Sequence, residues 1–330
     1  RLCRKIKKAG GAEQYNANNK YAAAVTVAAE ACAEDTKGQT CYICTQALHW
    51  KTKEGLVRMC ACRGTAGFAH VSCLAEQAKI LVAEGEENNL HGERGFARWA
   101  RWYSCSLCEQ DHHGVVLCAL TWACWKTYLG RPEGNNARGA AMSLLANGLS
   151  EVAQHKDALS VQEAELSMMR RHGDSESNIL ITQANLSTSY HFLGRNEEAL
   201  LLKRDVYSGW SKLYGEEHER TLRAASNYAN CLVSLRHFEE AKSLLRKKIP
   251  VARRTFGESN EVTLRMRWGY AEALCRADGA TLGDTREAVA TLEDLERTTQ
   301  RVMGGAHPTT ASIGRTLQNA RAALAAREAA

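Results

Sequence analysis

The apolar positions in the second half of the chain predict amphipathic helices. Between residues 238 and 256 they recur at steps of three and four residues, namely Phe238, Ala241, Leu245, Ile249, Ala252 and Phe256. This spacing is typical of a helix that buries one face. Pro250 lies within the stripe, and because proline has no backbone N–H we expect the helix to kink or to end early there.

Segments of this kind repeat with a period close to 42 residues. Residues 214–222 (YGEEHERTL) resemble residues 256–264 (FGESNEVTL), and related copies begin at residues 129, 172 and 303. An acidic residue followed by alanine recurs in the same register, with the alanines at Ala158, Ala199, Ala241 and Ala288. One helix pair cannot bury its apolar face alone, so the repeats predict a right-handed solenoid with a single capping helix after residue 303.

A shorter apolar run, Val115–Trp125, precedes the repeats. Its length suits a buried helix, because a membrane-spanning helix needs about 20 residues. We therefore expect residues 113–129 to form a helix that connects the repeats to the preceding part of the chain. No membrane partner is expected.

Cysteine usage favours metal binding over disulfides. The 330 residues include 13 cysteines, an odd number. This fraction of about 4% is below the ~8–10% of small disulfide scaffolds. We therefore expect a reducing compartment, the cytoplasm or the nucleus.

The charge distribution does not favour a nucleic-acid partner. The net charge of +6 is spread over the whole chain rather than concentrated on one segment, whereas nucleic-acid binding calls for a clustered basic surface. Residues 96–103 are aromatic and basic, and arginines interleaved with aromatics can stack on bases. Packing of Trp99 and Trp102 against neighbouring residues is the simpler explanation of this segment.

Eight candidate metal ligands lie between residues 41 and 108. They form four close pairs: Cys41 and Cys44, Cys60 and Cys62, His70 and Cys73, and Cys105 and Cys108. Two ligands on one short turn can hold the same ion, and four pairs suffice for two tetrahedral zinc sites. Scattered structural cysteines are the alternative. Because a catalytic zinc keeps one coordination position open and protein fills all eight here, we expect two structural zinc ions.

This ligand order resembles the RING-CH (variant RING) zinc finger. The diagnostic features are the Cys60-x-Cys62 pair, the seven residues before His70, and the run HVSCL at residues 70–74. PHD fingers share the ligand order, but they usually have a shorter gap before the histidine. A PHD-like histone-tail reader is therefore the weaker alternative.

The resemblance implies a cross-braced fold and a partner. In the topology of the family, one zinc is held by Cys41, Cys44, His70 and Cys73, and the other by Cys60, Cys62, Cys105 and Cys108. RING-type fingers act as ubiquitin ligases without a covalent intermediate, because they dock a charged ubiquitin-conjugating enzyme and present its thioester to a substrate lysine. By this resemblance Ile43 and Leu74 contact the conjugating enzyme, and the finger has no catalytic residue.

Three features depart from the family pattern. Gln77 stands where the family often has tryptophan, and Glu109 and Gln110 follow the last pair in place of basic or proline residues. The 31-residue gap before Cys105 is also long. These differences leave the ligands intact, but they make a non-enzymatic interaction protein with a structural finger the main alternative to a ligase.

The repeats resemble the tetratricopeptide repeats of kinesin light chain. The similarity covers residues 130–327 and includes the step Leu/Tyr-Gly-x-x-His and the step Glu-Glu-Ala. The resemblance implies a partner peptide on the concave face, bound through asparagines of the first helix of each pair. The equivalent positions are Asn147, Asn185, Asn227 and Asn230. Ordinary surface or inter-helix roles for these asparagines are the alternative.

Together these inferences predict a mainly α protein in which a small cross-braced two-zinc RING-CH module precedes an α-solenoid of tetratricopeptide-type helix pairs. The expected parts are a flexible or partly helical segment (1–38), the finger (39–112), the connecting helix (113–129) and the repeats (130–330). The expected function is that of a ubiquitin ligase or ligase adaptor, in which the finger recruits a conjugating enzyme and the repeats bind a substrate or partner.

Overall fold

The computed structural model describes residues 2–329, which contain fourteen α-helices and one short 3-10 helix. In this range the strand-like pairings are two isolated bridges, Val57 with Ala69 and Ser104 with Asp111. The chain is therefore mainly α, as predicted. It divides into two compact units, one that ends at Asp174 and one that begins at Ser175.

The first unit contains seven of the α-helices. They are α1 (Leu2–Ala9), α2 (Ala12–Ala31), α3 (Val71–Glu87), α4 (Gly92–Trp99), α5 (Gly114–Tyr128), α6 (Asn136–Glu151) and α7 (His155–His172). The 3-10 helix, Ala100–Trp102, directly follows α4. Residues 32–70, between α2 and α3, contain no helix and carry the first two ligand pairs.

The second helix, α2, is part of the core that supports the ligand pairs. It packs against α5, and its Tyr21, Val25 and Ala28 share one buried cluster with Leu56 and Phe68 from the segment between α2 and α3. The hydroxyl of Tyr21 also lies 3.0 Å from that of Ser72, at the start of α3. The segment that carries the ligands therefore lies on a helical support.

The apolar sequence of α5 follows from its burial. It packs against α2, α3 and α6, and eight of its fifteen residues are buried. Among residues 2–329 no helix combines the length and the hydrophobicity that crossing a membrane requires.

The second unit consists of seven helices, each of which packs against the next. They are α8 (Glu176–Phe192), α9 (Asn196–Tyr214), α10 (Glu219–Ser234), α11 (Phe238–Phe256), α12 (Glu261–Arg276), α13 (Leu282–Met303) and α14 (Pro308–Glu328). The alanines that mark the repeat are fully buried here: Ala199, Ala241 and Ala288. The predicted helix pairs are therefore confirmed.

The turns between repeats share one capping scheme. A helix ends at Gly215, Gly257 and Gly304, with φ angles of 87°, 90° and 89°, which glycine adopts without steric cost. Three residues later, a side chain accepts a hydrogen bond from the first turn of the next helix; these residues are His218, Asn260 and His307. Such N-caps satisfy backbone donors that have no partner within the helix. The scheme explains why the Gly-x-x-His step recurs.

Pro250 does not end its helix. α11 continues from Phe238 to Phe256, so of the two expected outcomes, a kink or an early end, the early end does not occur. Leu245, Ile249 and Ala252, on both sides of Pro250, are buried. Packing of this face offsets the roughly 3 kcal/mol that a proline costs inside a helix.

Buried cations hold the glutamates of the inter-repeat turns. Lys248, whose side chain is 9% exposed, pairs with Glu216. Arg267, 8% exposed, pairs with Glu258 at 3.4 Å and with Asp294 at 2.6 Å. Glu216 and Glu258 are 42 residues apart and occupy the same position of the repeat. The same turn position is therefore fixed by an ion pair in successive repeats.

Candidate metal centre and partner surfaces

Ligand atoms of the first and third pairs converge on one point. Cys41 and Cys44 lie on a turn after α2, whereas His70 immediately precedes α3 and Cys73 lies in its first turn. The Nδ1 atom of His70 lies 3.4 Å from Cys44 Sγ and 3.6 Å from Cys73 Sγ. All four ligand atoms lie within 4.8 Å of one another.

A second cluster combines Cys60 and Cys62 with Cys105 and Cys108. Its four sulfur atoms also lie within 4.8 Å of one another, and Cys62 Sγ is 3.7 Å from Cys105 Sγ. The first and third pairs thus form one cluster, and the second and fourth pairs form the other. This is the interleaved order that the predicted cross-brace requires.

The distances fit zinc. With Zn–S bonds near 2.3 Å and Zn–N bonds near 2.0–2.1 Å, the ligand atoms of a tetrahedral site lie about 3.6–3.8 Å apart. The three measured separations are 3.4, 3.6 and 3.7 Å. Each cluster could therefore hold one zinc ion with four protein ligands, in agreement with the prediction of two zinc ions.

Backbone N–H groups favour the metal-binding form of the first cysteine. Ile43 and Cys44 donate to Cys41 Sγ at 3.4 and 3.5 Å, and Leu107 donates to Cys105 Sγ at 3.5 Å. Burial raises the pKa of the Cys41 thiol, but the hydrogen bonds outweigh burial and hold the pKa below its usual value. The thiolate is the form that binds metal.

The histidine ligand is oriented by the backbone. Its Nε2 lies 3.3 Å from the carbonyl oxygen of Ala47, so Nε2–H donates and Nδ1 faces the cysteine sulfurs. Burial lowers the pKa of His70, which favours the neutral ring that a metal site needs. A hydrogen bond of this kind fixes the tautomer and the ring orientation of a metal ligand.

Gly67 belongs to the site although ligand spacing does not reveal it. Its φ is +83°, and a methyl carbon on it would lie 2.6 Å from Cys62 Cβ and 2.8 Å from Cys62 Sγ. Only a residue without a side chain permits this approach. The sequence signal is a glycine three residues before the ligand His70.

The two expected docking residues differ in exposure. Ile43 is 37% exposed, whereas Leu74 is 5% exposed and lies in the core, so its side chain is not at the surface where the family resemblance places it. Leu107 is 51% exposed at the equivalent position of the last pair, since both pairs read Cys-x-apolar-Cys. The hydroxyl groups of Tyr42 and Ser106 lie 3.0 Å apart and connect the two turns.

The aromatic segment after α3 packs inside the first unit. Trp102 is fully buried, with its ring edge-on to Tyr128 at 5.8 Å. Trp99 lies 5.4 Å from the same tyrosine ring. These contacts agree with packing rather than base stacking.

A cleft of about 390 Å³ lies between α8, α9 and α10 of the second unit. Its lining includes two of the expected asparagines, three cations and an apolar wall: Asn185, Asn227, Lys203, Arg220, Arg223, Val206 and Trp210. Glu219 is the acidic residue among them. Burial lowers the pKa of Lys203. The cleft therefore offers amide groups, positive charge and apolar surface together.

The other two asparagines lie elsewhere. Asn147 is exposed on α6 of the first unit. Asn230 is half-buried on α10, with its Oδ1 3.3 Å from the place that a Cβ on Gly269 of α12 would take. Neither lines the cleft.

Interleaving predicts that the clusters fail together. We expect elemental analysis to find two zinc ions per chain and Cys60→Ser to lose both. The residues between Cys62, a ligand of the second cluster, and His70, a ligand of the first, connect the two clusters directly, so loss of one ion should disorder both. Cys275→Ser, at a half-buried free cysteine of α12, is the control and should keep both ions. A Cys60→Ser protein that retains one tightly bound ion would contradict the cross-brace.

A matched pair of glycines tests the approach to the second cluster. Gly67→Ala should release zinc about 10–100 times faster, the range typical of damage to the surroundings of a metal site, measured with a chromophoric chelator. Gly64→Ala is the control. Gly64 has a φ of +62°, but nothing lies within 4 Å of a Cβ there, so this variant introduces backbone strain without a steric clash. Equal release rates in the two variants would refute the steric role of Gly67.

Comparison with known families agrees with the geometry of the finger. Residues 41–90 match the RING-variant domain (RINGv), which confirms the expected resemblance over the first three ligand pairs and favours it over a PHD finger. The last pair lies beyond the matched residues, after α4 and the 3-10 helix. No curated protein matches the chain.

Two solved structures show what the chain is similar to. A kinesin light chain of Podosopora anserina with nearly identical TPR-like repeats is 19% identical, with 71% of this chain and 98% of that chain covered and a TM-score of 0.46. BtubC (BKLC) from P. vanneervenii is 14% identical, with coverages of 78% and 92% and a TM-score of 0.37. Because these TM-scores are low, we assign the fold of the second unit from its own helix pairs and not from these neighbours. Residues 41–90 thus match the RING-variant domain, and helices that pack one against the next follow in the second unit.

Proposed function

We propose that this protein is a RING-type ubiquitin ligase or ligase adaptor. The observation that carries the proposal is the pair of matching turns on the finger: Ile43 and Leu107 are exposed at equivalent positions, and the Tyr42–Ser106 hydrogen bond holds the turns together. Apolar side chains on rigid turns suit the docking of a charged conjugating enzyme. The odd number of 13 cysteines, seven of them in the two ligand clusters, supports a reducing compartment, the cytoplasm or nucleus.

In this proposal the finger positions the charged conjugating enzyme and forms no covalent bond itself. The eight ligand residues would hold two zinc ions with no coordination position left for substrate, so the metal would fix the turns without taking part in the transfer. Ile43 and Leu107 bind the conjugating enzyme, and the thioester is then held where a substrate lysine can attack it. Orientation of this kind can supply several kcal/mol of the rate enhancement.

The repeats are proposed to bind the substrate or a scaffold in the cleft between α8, α9 and α10. Asn185 and Asn227 can pair with a peptide backbone through their amide groups. Lys203, Arg220 and Arg223 favour acidic side chains, and Trp210 gives an apolar contact. We propose α5, within residues 113–129, as the boundary between the finger and the helices that follow it.

A non-enzymatic interaction protein is the second candidate. Leu74 lies in the core that α2 and α5 share with the finger, so one of the two residues expected to dock the conjugating enzyme has a structural role. Glu109 and Gln110 also follow the last ligand pair where active fingers often have other residues. In this case the finger would serve as a folded part of the first unit.

Discharge of ubiquitin from charged conjugating enzymes tests the ligase proposal. With the full chain and a panel of conjugating enzymes, we expect at least one to discharge faster. Ile43→Ala should reduce this rate about tenfold, because truncation of a central docking side chain costs more than about 1 kcal/mol. Ile80→Ala is the control, because Ile80 is 49% exposed on α3. If the zinc-loaded protein accelerates discharge from no enzyme of the panel, the ligase proposal is wrong and the non-enzymatic interaction protein remains.

A peptide selection tests the cleft. We expect peptides selected from a displayed library on the full chain to be rich in acidic and apolar residues, and Asn227→Ala to weaken their binding about 5–30-fold, the effect of one or two lost hydrogen bonds. Asn147→Ala, an exposed asparagine outside the cleft, is the control. Equal affinities of the two variants, measured by calorimetry, would remove the cleft from the proposal.

A further inference from the structure

The chain between the first two ligand pairs forms a rigid turn. The N–H of His49 donates to the carbonyl of Glu54 at 3.0 Å, and that of Lys53 donates to the carbonyl of His49 at 2.9 Å. The carboxylate of Glu54 accepts from the N–H and the hydroxyl of Ser72 at 2.7 and 2.8 Å. At the other end, the Ala47 carbonyl lies 3.3 Å from His70 Nε2. The turn is therefore fixed to α3 and to the first cluster.

This turn presents its large apolar side chains to solvent. Leu48 is 58% exposed and Trp50 is 69% exposed. Among the large apolar residues in the described part of the chain, Trp50 has the largest exposed fraction. Between them, His49 is half-buried, with its ring 5.3 Å from that of His70 and its Nδ1 2.8 Å from the Thr52 hydroxyl. Backbone hydrogen bonds thus fix the conformation of the turn, and Trp50 is exposed on an ordered segment.

The exposed turn directly follows the first zinc loop along the chain. The N–H of Cys41 donates to the Gln46 carbonyl at 3.0 Å, which closes the ligand turn that carries Ile43 just before the turn with Leu48 and Trp50 begins. In total these residues and Leu107 expose roughly 400 Å² of apolar side chain, if a tryptophan side chain has about 250 Å² and each aliphatic one somewhat less. A stable protein dimer buries about 800 Å² on each partner. The surface is therefore of the size used for transient docking, which a conjugating enzyme that must dissociate after each transfer requires.

The charge around the turn defines the partner further. Lys51 and Lys53 are exposed, whereas the carboxylate of Glu54 is turned toward Ser72. The rim of the surface is thus positive, and it fits an apolar patch with acidic neighbours. A lipid surface is less favoured, because two lysines supply only about 2 kcal/mol of attraction and stable membrane anchoring takes stronger signals.

We infer that Trp50, with Leu48, is a second contact for the conjugating enzyme and determines which of these enzymes the finger accepts. This inference rests on the proposed ligase function. Ile43 supplies contact common to all accepted enzymes, whereas Trp50 binds strongly only where the enzyme offers an apolar patch with an acidic rim. Trp50 acts through affinity and does not touch the thioester.

The test uses the full chain and the variants Trp50→Ser and Ile43→Ala in single-turnover discharge with a panel of charged conjugating enzymes. Trp50→Ser should raise the concentration of finger needed for half-maximal discharge about 10–30-fold for some enzymes and little for others, with the rate at saturation unchanged. Lys51→Glu should shift the same enzymes in the same direction. Phe96→Ser is the control, because Phe96 is 63% exposed on α4. Zinc content should remain at the wild-type value in all four variants, since exposed substitutions usually change stability by less than about 0.5 kcal/mol.

The outcomes separate this inference from the proposed function. If Ile43→Ala slows discharge but Trp50→Ser changes it for no enzyme, the ligase function stands and the inference is wrong. If the wild-type chain discharges no enzyme, both are wrong. Sedimentation with phosphatidylserine vesicles and light scattering of the free protein complete the test: vesicle binding or self-association that depends on Trp50 would assign the turn to a membrane or to a second copy, and would overturn the inference.

Discussion

Tetrahedral coordination holds together a stretch of chain that has no regular secondary structure. Between α2 and α3, residues 32–70 form turns and a single bridge to one another, so few backbone hydrogen bonds define their path. Eight ligand atoms in two interleaved clusters replace them. A structural zinc site contributes on the order of 10–16 kcal/mol of binding free energy, more than the whole stability of many domains. The positions of all surfaces on the finger depend on this constraint.

The finger nevertheless does not stand alone. Leu56 and Phe68 between the ligand pairs, and Leu74 beyond them, pack in one cluster with α2 and α5. The metal clusters therefore fix the turns relative to each other, while the apolar cluster fixes the finger to its helical support. This division explains why a loop-rich module can carry a 15-residue segment between its first two pairs without losing order: the segment is bonded to α3 through Glu54 and Ser72.

The sequence predicts those features that local spacing determines. Each ligand pair consists of residues two or three positions apart, and the repeat register follows from short motifs that recur about every 42 residues; both appear in the structure as expected. The burial of Leu74 depends on α2, which lies some fifty residues earlier, so the residues next to Leu74 in the sequence do not predict it. The asparagines show the same limit: Asn185 and Asn227, fourteen residues before the marker alanines, line the cleft, whereas Asn230 lies three positions further along α10. Three residues rotate a helix position by about 300°, which is enough to turn that side chain toward α12.

Coordination itself determines which side chains remain for partners. In each Cys-x-x-Cys turn, backbone N–H groups point at the first sulfur, as at Cys41 and Cys105. The turn therefore wraps around the metal position, and the residue before the second cysteine faces away from it. This geometry accounts for the exposure of both Ile43 and Leu107. An apolar residue at such a position keeps part of its side chain in solvent, which leaves it free for the contact with a conjugating enzyme that we propose.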